Sequence, residues 1–148
     1  MIWTPHVTVA AVIEQEGRFL LVQERESGRT VFNQPAGHLE DGESLVSAVI
    51  RETLEETGWH FQPDVIIGVY RWRHPAKGIT YLRVTFAGSG LSHDTNRPLD
   101  EAIEDTLWLS VAEIRRQIQM LRSPLVLKSI EDYLAGVRYP LSLLADIA

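Results

Sequence analysis

The sequence predicts a layered α/β or α+β domain, and three patterns predict it. Short apolar, β-branched stretches typical of strands occur in both halves of the chain. A helical segment lies between two groups of these strands, and two further helical segments follow the last strand. Strands and helices in this order favour helices packed on a sheet. Since no linker divides the chain, we expect residues 1–148 to form a single domain.

The N-terminal part predicts a hairpin. Residues 7–13 are apolar and β-branched, which is typical of a strand buried on both faces. A turn at Glu16-Gly17 joins them to a second strand at residues 19–23. We expect the polar residues 24–29 to form a loop and residues 31–34 to form a further short extended segment.

Residues 44–57 predict the first helix. Gly42 precedes it, and Gly58 occupies the position of a C-terminal cap. The apolar positions recur at helical spacing, so one stripe should face the core. That stripe consists of Leu45, Val46, Val49, Ile50 and Thr53.

The second half of the chain predicts three strands and two helices. The strands are expected at residues 65–70, 81–87 and 106–109, with Pro75 and Gly78 in the loop between the first two. Residues 88–98 are polar and rich in turn formers, so we expect a loop there. Residues 111–121 and 124–134 are expected to be helical.

Composition narrows the class of function. The chain has 20 acidic and 14 basic side chains and a net charge of −6, which argues against the nucleic-acid backbone as a partner. The absence of cysteine excludes disulfides and a catalytic thiol. The N-terminus does not resemble a signal peptide, and no apolar run approaches the roughly 20 residues of a membrane helix. We therefore expect a cytoplasmic protein with no membrane partner, either a monomer or a homodimer.

Three glutamates on the first helix point to a metal. Glu52, Glu55 and Glu56 fall within an arc of about 100° on the helix surface. Like charges at these spacings destabilise a helix, and these three flank the apolar stripe, where solvent screens repulsion less. A divalent cation such as Mg²⁺ would remove the conflict, because it prefers carboxylate oxygens and shares its shell with substrate phosphates.

The spacing around these glutamates is more specific. Gly37 is followed after five residues by Glu43, after seven more by Arg51-Glu52, after two more by Glu55-Glu56, and then by Gly58 and Trp59. This segment resembles the signature motif of the Nudix hydrolase family. It departs at Thr53, where the family usually has a bulkier aliphatic residue. The order of elements resembles the Nudix-type α/β/α sandwich around a mixed β-sheet.

The resemblance implies hydrolysis of a diphosphate linked to another moiety, with Mg²⁺ or Mn²⁺ as cofactor. Matched by position, Glu52, Glu55 and Glu56 resemble the metal-binding carboxylates, and the Gly37 carbonyl resembles a further ligand. Glu43 and Arg51 resemble the pair that braces the loop against the helix.

Family members often add an acid from a later loop, as a ligand or as the general base. Residues 100–105 offer several acids, and we favour Glu104 for this position, with Glu101 second. Glu52, Glu56 and a loop acid all remain open as the base.

The flanking segments indicate a substrate group. Residues 5–10, 33–38, 121–126 and 138–141 resemble a group of Nudix phosphatases. Those enzymes act on nucleoside tri- and diphosphates and on the pyrophosphate of hydroxymethylpyrimidine, a thiamine precursor. An ADP-ribose-type pyrophosphatase is the alternative, because those enzymes tend to carry a proline about sixteen residues beyond the motif, where Pro75 lies. A non-catalytic nucleotide-binding module is a second alternative, although such modules usually lose an acid of the motif.

Substrate contacts are expected from aromatic and basic side chains, because heterocycles stack on aromatics and phosphates bind arginine. The candidates for stacking are Trp3, Tyr70, Trp72 and Tyr81. The candidates for phosphate are Arg25, Arg29 and Arg83. His38, next to Gly37, is a further candidate substrate contact.

Overall fold

The computed structural model describes residues 2–147, which contain eight strands and three α-helices. The strands before the first helix are β1 (His6–Gln15), β2 (Arg18–Glu26), β3 (Arg29–Asn33) and β4 (Ala36–His38). Helix α1 (Leu45–Thr57) follows, and then β5 (Trp59–Arg73), β6 (Thr80–His93) and β7 (Ile103–Ser110). The chain ends with α2 (Val111–Arg116), α3 (Pro124–Leu134) and the two-residue β8 (Tyr139–Pro140).

The strands form one mixed sheet. Its order is β3-β2-β1-β6-β5-β8, with β4 paired to β1 and β7 paired to β2. Strands β1 and β6 run parallel, whereas the other pairs are antiparallel. The predicted layered α+β class is confirmed. None of the helices in residues 2–147 is long and apolar enough to cross a membrane.

Helices cover both faces of the sheet, and β1 shows how. Its side chains alternate, so that Val9 packs in one core cluster with Val49 of α1. Val12 packs in a second cluster with Val126 and Ile130 of α3. The strand is buried from Thr8 to Ile13 because both faces are covered, as the sequence predicted.

Helix α1 is capped at both ends, and its C-terminal cap is the predicted Gly58. The Ser44 side chain accepts a hydrogen bond from the Ser47 backbone N–H at 3.0 Å. Gly58 ends the helix in the left-handed region at φ 77°, and its N–H donates to the carbonyl of Leu54.

The buried face of α1 differs from the predicted stripe. Val49 and Thr53 are buried and Leu45 and Val46 pack against the core, but Ile50 is exposed. Ala48, Glu56 and Thr57 are buried instead. The buried face is therefore rotated away from Ile50, and it turns the Glu56 carboxylate toward the protein interior.

Several predicted boundaries were wrong. The expected loop at residues 24–29 is a tight hairpin, because β2 continues to Glu26 and pairs with β3. The expected loop at 88–98 belongs to β6 as far as His93, since its polar residues pair with β5. The helix expected at 111–121 breaks after Arg116 into a short 3-10 turn. Helix α3 has the predicted bounds, whereas β4 and β8 were not predicted.

Candidate active site

Arg51 connects helix α1 to the loop that precedes it. Its Nε and Nη2 donate to the two carboxylate oxygens of Glu43 at 3.0 and 2.6 Å. Its Nη1 donates to Glu52 at 2.8 Å and to Glu55 at 3.3 Å. Nη2 also donates to the His38 carbonyl at 3.1 Å. One guanidinium therefore fixes both the loop and two of the helix carboxylates. The hydrogen bonds to Glu43 hold the pKa of Arg51 above its ordinary value, although burial opposes the rise.

Three carboxylates converge beside this arginine. Glu52, Glu55 and Asp100 each offer one oxygen, and these oxygens lie within 4.8 Å of one another. The Asp100 backbone N–H donates to the Glu55 carbonyl at 3.0 Å, which holds the loop before β7 against the helix. We call Glu52, Glu55 and Asp100 the carboxylate cluster.

Negative charge is crowded in the cluster. Burial raises the pKa of Glu52, and the charges of Glu55 and Asp100 raise it further, whereas Arg51 opposes the rise. An all-oxygen donor set with excess negative charge fits a hard divalent cation. The residues present therefore fit the metal that the sequence resemblance implies.

Gly37 lies directly against the cluster. Strand β4 pairs with β1, with Gly37 opposite Val9, and this pairing brings its backbone to the Glu52 carboxylate. A Cβ at residue 37 would overlap the carboxylate atoms of Glu52. Glycine is therefore required here for the close approach of the Gly37 backbone to the Glu52 carboxylate.

Glu56 is separated from the other glutamates. Its side chain is buried, and one oxygen accepts a hydrogen bond from the Ala36 N–H at 2.8 Å. Burial raises the pKa of Glu56 to about 9, the Ala36 N–H opposes the rise, and the nearby charges of Glu24, Glu52 and Asp100 add to it. The predicted triplet is thus divided, with Glu52 and Glu55 in the cluster and Glu56 deeper in the protein.

A cavity of about 440 Å³ opens beside the cluster. Glu52, Glu56 and Gly37 line it. Strands β2, β3 and β6 and the segment before α3 also contribute to the lining, with Glu24, Asn33, Arg83 and Arg122. Aromatic and further polar side chains complete the lining: Trp72, Tyr81, His38, His74, Glu26 and Ser123.

Two arginines, Arg83 and Arg122, line the cavity. Arg83 is buried, and its Nη2 donates to Asn33 Oδ1 at 3.1 Å. The Nε of Arg83 has no hydrogen-bond partner among residues 2–147. Burial lowers the pKa of the Arg83 guanidinium to about 10. Arg122 pairs with Glu24 and, at 3.7 Å, with Glu26. A buried donor without a partner in a cavity wall can bind a ligand acceptor.

The substrate contacts predicted from sequence divide into two groups. His38, Trp72, Tyr81 and Arg83 line the cavity. Arg25 instead pairs with Glu104 at 3.4 Å, and Arg29 donates to the Gln119 carbonyl at 2.8 Å. The structure does not bring these two arginines to the cavity, because strand β2 and its hairpin direct them elsewhere. Tyr70 donates to Asp132, and Trp3 is exposed.

The later loop contributes a different acid from the one favoured. Glu104 pairs with Arg25 and accepts from Gln23 at 3.4 Å, so the structure does not bring it to the cluster. Asp100 occupies that place. Sequence reasoning named the acidic stretch of residues 100–105 but could not tell which member turns toward the helix. It also missed Glu24, Asn33 and Arg122 as cavity residues, although Asn33 and Arg122 lie in segments it singled out.

The comparison with known families agrees with this geometry. The NUDIX domain matches residues 4–128, which is most of the chain, and the chain belongs to the Nudix hydrolase family. It is therefore an enzyme that acts on pyrophosphate bonds, in a family that acts on small phosphorylated substrates and generally uses divalent metal ions. The predicted family and its sandwich fold are confirmed.

Individual relatives narrow the comparison. The chain is 46% identical over 142 residues to phosphatase NudJ of Escherichia coli strain K12, which covers 96% of this chain and 92% of that protein. A NUDIX hydrolase structure from Nitrosomonas europaea is 51% identical, with a TM-score of 0.95 over 97% of this chain and 98% of that one. An ADP-ribose pyrophosphatase from Streptococcus suis is 19% identical, with a TM-score of 0.68 over 90% of this chain and 92% of that one. The last likeness concerns the fold alone.

Proposed function

We propose that this enzyme hydrolyses nucleoside di- and triphosphates and related pyrophosphates such as hydroxymethylpyrimidine pyrophosphate, with Mg²⁺ or Mn²⁺ as cofactor. One observation carries the proposal. The cluster of Glu52, Glu55 and Asp100 lies beside a cavity whose lining includes the buried guanidinium of Arg83. An organic diphosphate needs both features, a site for cations at its phosphates and a cavity for the remainder.

The carboxylate cluster is the proposed cation site, with the Gly37 carbonyl and Glu56 as further ligands. A divalent cation bound there supplies positive charge to the phosphoryl oxygens and makes a nearby water more acidic. Arg51 holds Glu52 and Glu55 in place, and Glu43 holds Arg51.

The cavity residues have separate proposed roles. Arg83, which lines the cavity, offers its guanidinium to a substrate oxygen, and Trp72 offers its ring for stacking beside Tyr81, with 5.9 Å between the ring centres. His38 stands at the mouth, hydrogen-bonded to His6 at 3.1 Å. Glu52 or Glu56, both of which line the cavity, would take the proton from the attacking water.

A substrate screen tests the proposal. Nucleoside di- and triphosphates, ADP-ribose and hydroxymethylpyrimidine pyrophosphate are incubated with Mg²⁺ or Mn²⁺, and phosphate and pyrophosphate release are measured separately. We expect metal-dependent turnover of nucleotides and of the pyrimidine pyrophosphate. Glu55→Gln should lower turnover by about two orders of magnitude while its melting temperature without metal stays near that of the wild type.

Each rival gives a different result. Turnover of ADP-ribose in preference to every other substrate would replace the proposal with the ADP-ribose alternative. Binding of nucleotides without turnover of any substrate would identify a nucleotide-binding module. Undiminished turnover by Glu55→Gln would remove the carboxylate cluster from the mechanism.

A further inference from the structure

Glu24 is a buried carboxylate in the cavity wall that the proposed hydrolysis does not use. It lies on β2 with 5% of its surface exposed, and it lines the same cavity as Glu52 and Glu56. A carboxylate that leaves water must be paired and hydrogen-bonded. Its neighbour Glu26 pairs with Lys77 and Arg122 nearer the surface, so Arg122 has a carboxylate partner without Glu24. The burial of a second carboxylate is therefore not explained by the need to pair Arg122.

The surroundings of Glu24 hold it in place. Arg122 pairs with one of its oxygens, Oε2. Asn33, on the neighbouring strand, is fixed in turn by Arg83. Replacing a buried ion pair by apolar side chains is often neutral or stabilising, so a buried pair in a cavity wall is weak evidence for a role in stability. A carboxylate fixed in this way is a directed hydrogen-bond acceptor for a ligand.

The rest of the wall suits a flat ring. Trp72 and Tyr81 both line the cavity, and their rings are within 20° of parallel. Leu125 adds an apolar side chain to the cavity lining. Aromatic and apolar walls with a few fixed polar groups are typical of sites for heterocyclic ligands. The polar groups then decide which edge of the ring is accepted.

We propose that Glu24 selects substrates whose heterocyclic ring carries an exocyclic amino group, by accepting a hydrogen bond from it. This inference rests on the proposed function, since it concerns the organic part of the same substrate. A ring carbonyl at the same position would place an oxygen against the carboxylate, and both groups would be acceptors. A site built to bond a substrate N–H rejects an analogue that lacks it, because the buried polar group is then left unpaired.

Matched nucleotides test the selection. ATP and ITP differ by an amino group or an oxygen at one ring position, and so do CTP and UTP; the adjacent ring nitrogen bears a hydrogen only in the oxo member of each pair. We expect the wild type, in whichever pair it hydrolyses faster, to prefer the amino member by at least about tenfold in kcat/KM. In Glu24→Gln the ratio should fall to within about threefold, since an amide can face the oxygen with its N–H₂ group.

Glu26→Gln is the matched control. It also removes one negative charge and one contact of Arg122, so an effect through Arg122 or through net charge would appear in both variants. We expect Glu26→Gln to keep the wild-type ratio. Ratios are taken within one enzyme preparation, so a partly unfolded variant does not distort them. If Glu24→Gln does not fold, Glu24→Asp, which withdraws the carboxylate by one methylene, should lower the ratio instead.

The outcomes separate the two proposals. Equal rates within each pair for the wild type, or an unchanged ratio in Glu24→Gln, would overturn the inference and leave the hydrolysis of nucleotides intact. Equal loss of the ratio in Glu26→Gln would also overturn it, because Glu26 lines the same cavity and an effect common to both carboxylates is not selection by Glu24. Absence of turnover on all four nucleotides would overturn the proposed function first.

Discussion

Arg51 and Glu43 form a two-pronged ion pair between helix α1 and the loop before it, with N–O distances of 3.0 and 2.6 Å. The same guanidinium reaches Glu52, the next residue, and Glu55, one turn along the helix. A planar fork with several donors can make these bonds at once, whereas an ammonium group cannot keep the geometry. The pair therefore couples the shape of the loop to the position of the carboxylate cluster.

Arg51→Lys should separate charge from geometry at this position. It keeps the positive charge but loses the paired bonds to Glu43, so we expect turnover to fall by about tenfold or more and stability by about 1–2 kcal/mol. Urea unfolding and steady-state hydrolysis measure the two effects. Arg18→Lys, at an exposed pair with Glu113, is the control and should change neither by much. Wild-type activity in Arg51→Lys would show that charge alone suffices.

Gly37→Ala should disturb the cluster through one methyl group. Its Cβ would overlap the Glu52 carboxylate, so either strand β4 or Glu52 must move. We expect weaker stabilisation by Mg²⁺ in a melting scan and loss of most turnover.

Gly28→Ala is the comparison for Gly37→Ala. Gly28 has φ 81° and open space around a Cβ, so alanine there should lower stability through backbone strain by about 1 kcal/mol and leave the response to Mg²⁺ unchanged. An unchanged response in Gly37→Ala as well would place the cation away from Gly37.

Asp100→Asn tests which loop acid belongs to the cluster. Asp100 contributes an oxygen within 4.8 Å of those of Glu52 and Glu55, whereas Glu104 pairs with Arg25. We expect Asp100→Asn to bind Mg²⁺ about tenfold more weakly, which lowers the stabilisation at saturating metal by about 1.4 kcal/mol. Glu104→Gln should keep the full stabilisation. Full stabilisation in Asp100→Asn together with weakened stabilisation in Glu104→Gln would show that Glu104, the acid favoured from the sequence, belongs to the cation site.

The sequence predicts those features that local spacing determines. The C-terminal cap of helix α1 follows from Gly58, and the positions of Arg51 and the helix glutamates relative to Gly37 follow from the spacing of a single segment. The two-faced burial of β1 follows from an unbroken apolar run.

Long-range contacts could not be predicted in the same way. Asp100 reaches the cluster through a loop bond to Glu55, and the polar sequence around it gives no sign of which acid turns inward. Glu24 lies in a polar stretch that looks like a loop, yet it is buried because β2 continues through it and packs beneath the cavity. Burial of Glu56 depends on the rotation of α1, and an exposed Ile50 shows that hydrophobicity alone does not set that rotation.

Asp132 gives the fold a stability that depends on pH. Tyr70 on β5 donates its hydroxyl to Asp132 on α3 at 2.7 Å, and Lys128 donates at 3.0 Å. Burial opposes ionisation of Asp132, but these bonds outweigh it and hold its pKa below the ordinary value of 3.8. Because the folded-state pKa is lower than the unfolded one, the ionised form stabilises the fold above about pH 4, and this contribution is lost as the pH falls below that value.

Tyr70→Phe removes the main bond that the Asp132 carboxylate accepts from β5, and urea unfolding at pH 7 and pH 3 measures the consequence. We expect the variant to be less stable than the wild type at pH 7 by about 1–2 kcal/mol, because the bond has a charged acceptor. At pH 3, below the ordinary pKa of 3.8, the difference should shrink, since protonation of Asp132 in the unfolded chain then offsets part of what the bond contributes. Asp132→Asn should show a smaller loss of stability between the two pH values than the wild type. An equal difference between Tyr70→Phe and wild type at both pH values would mean that the hydroxyl stabilises the fold independently of the charge on Asp132.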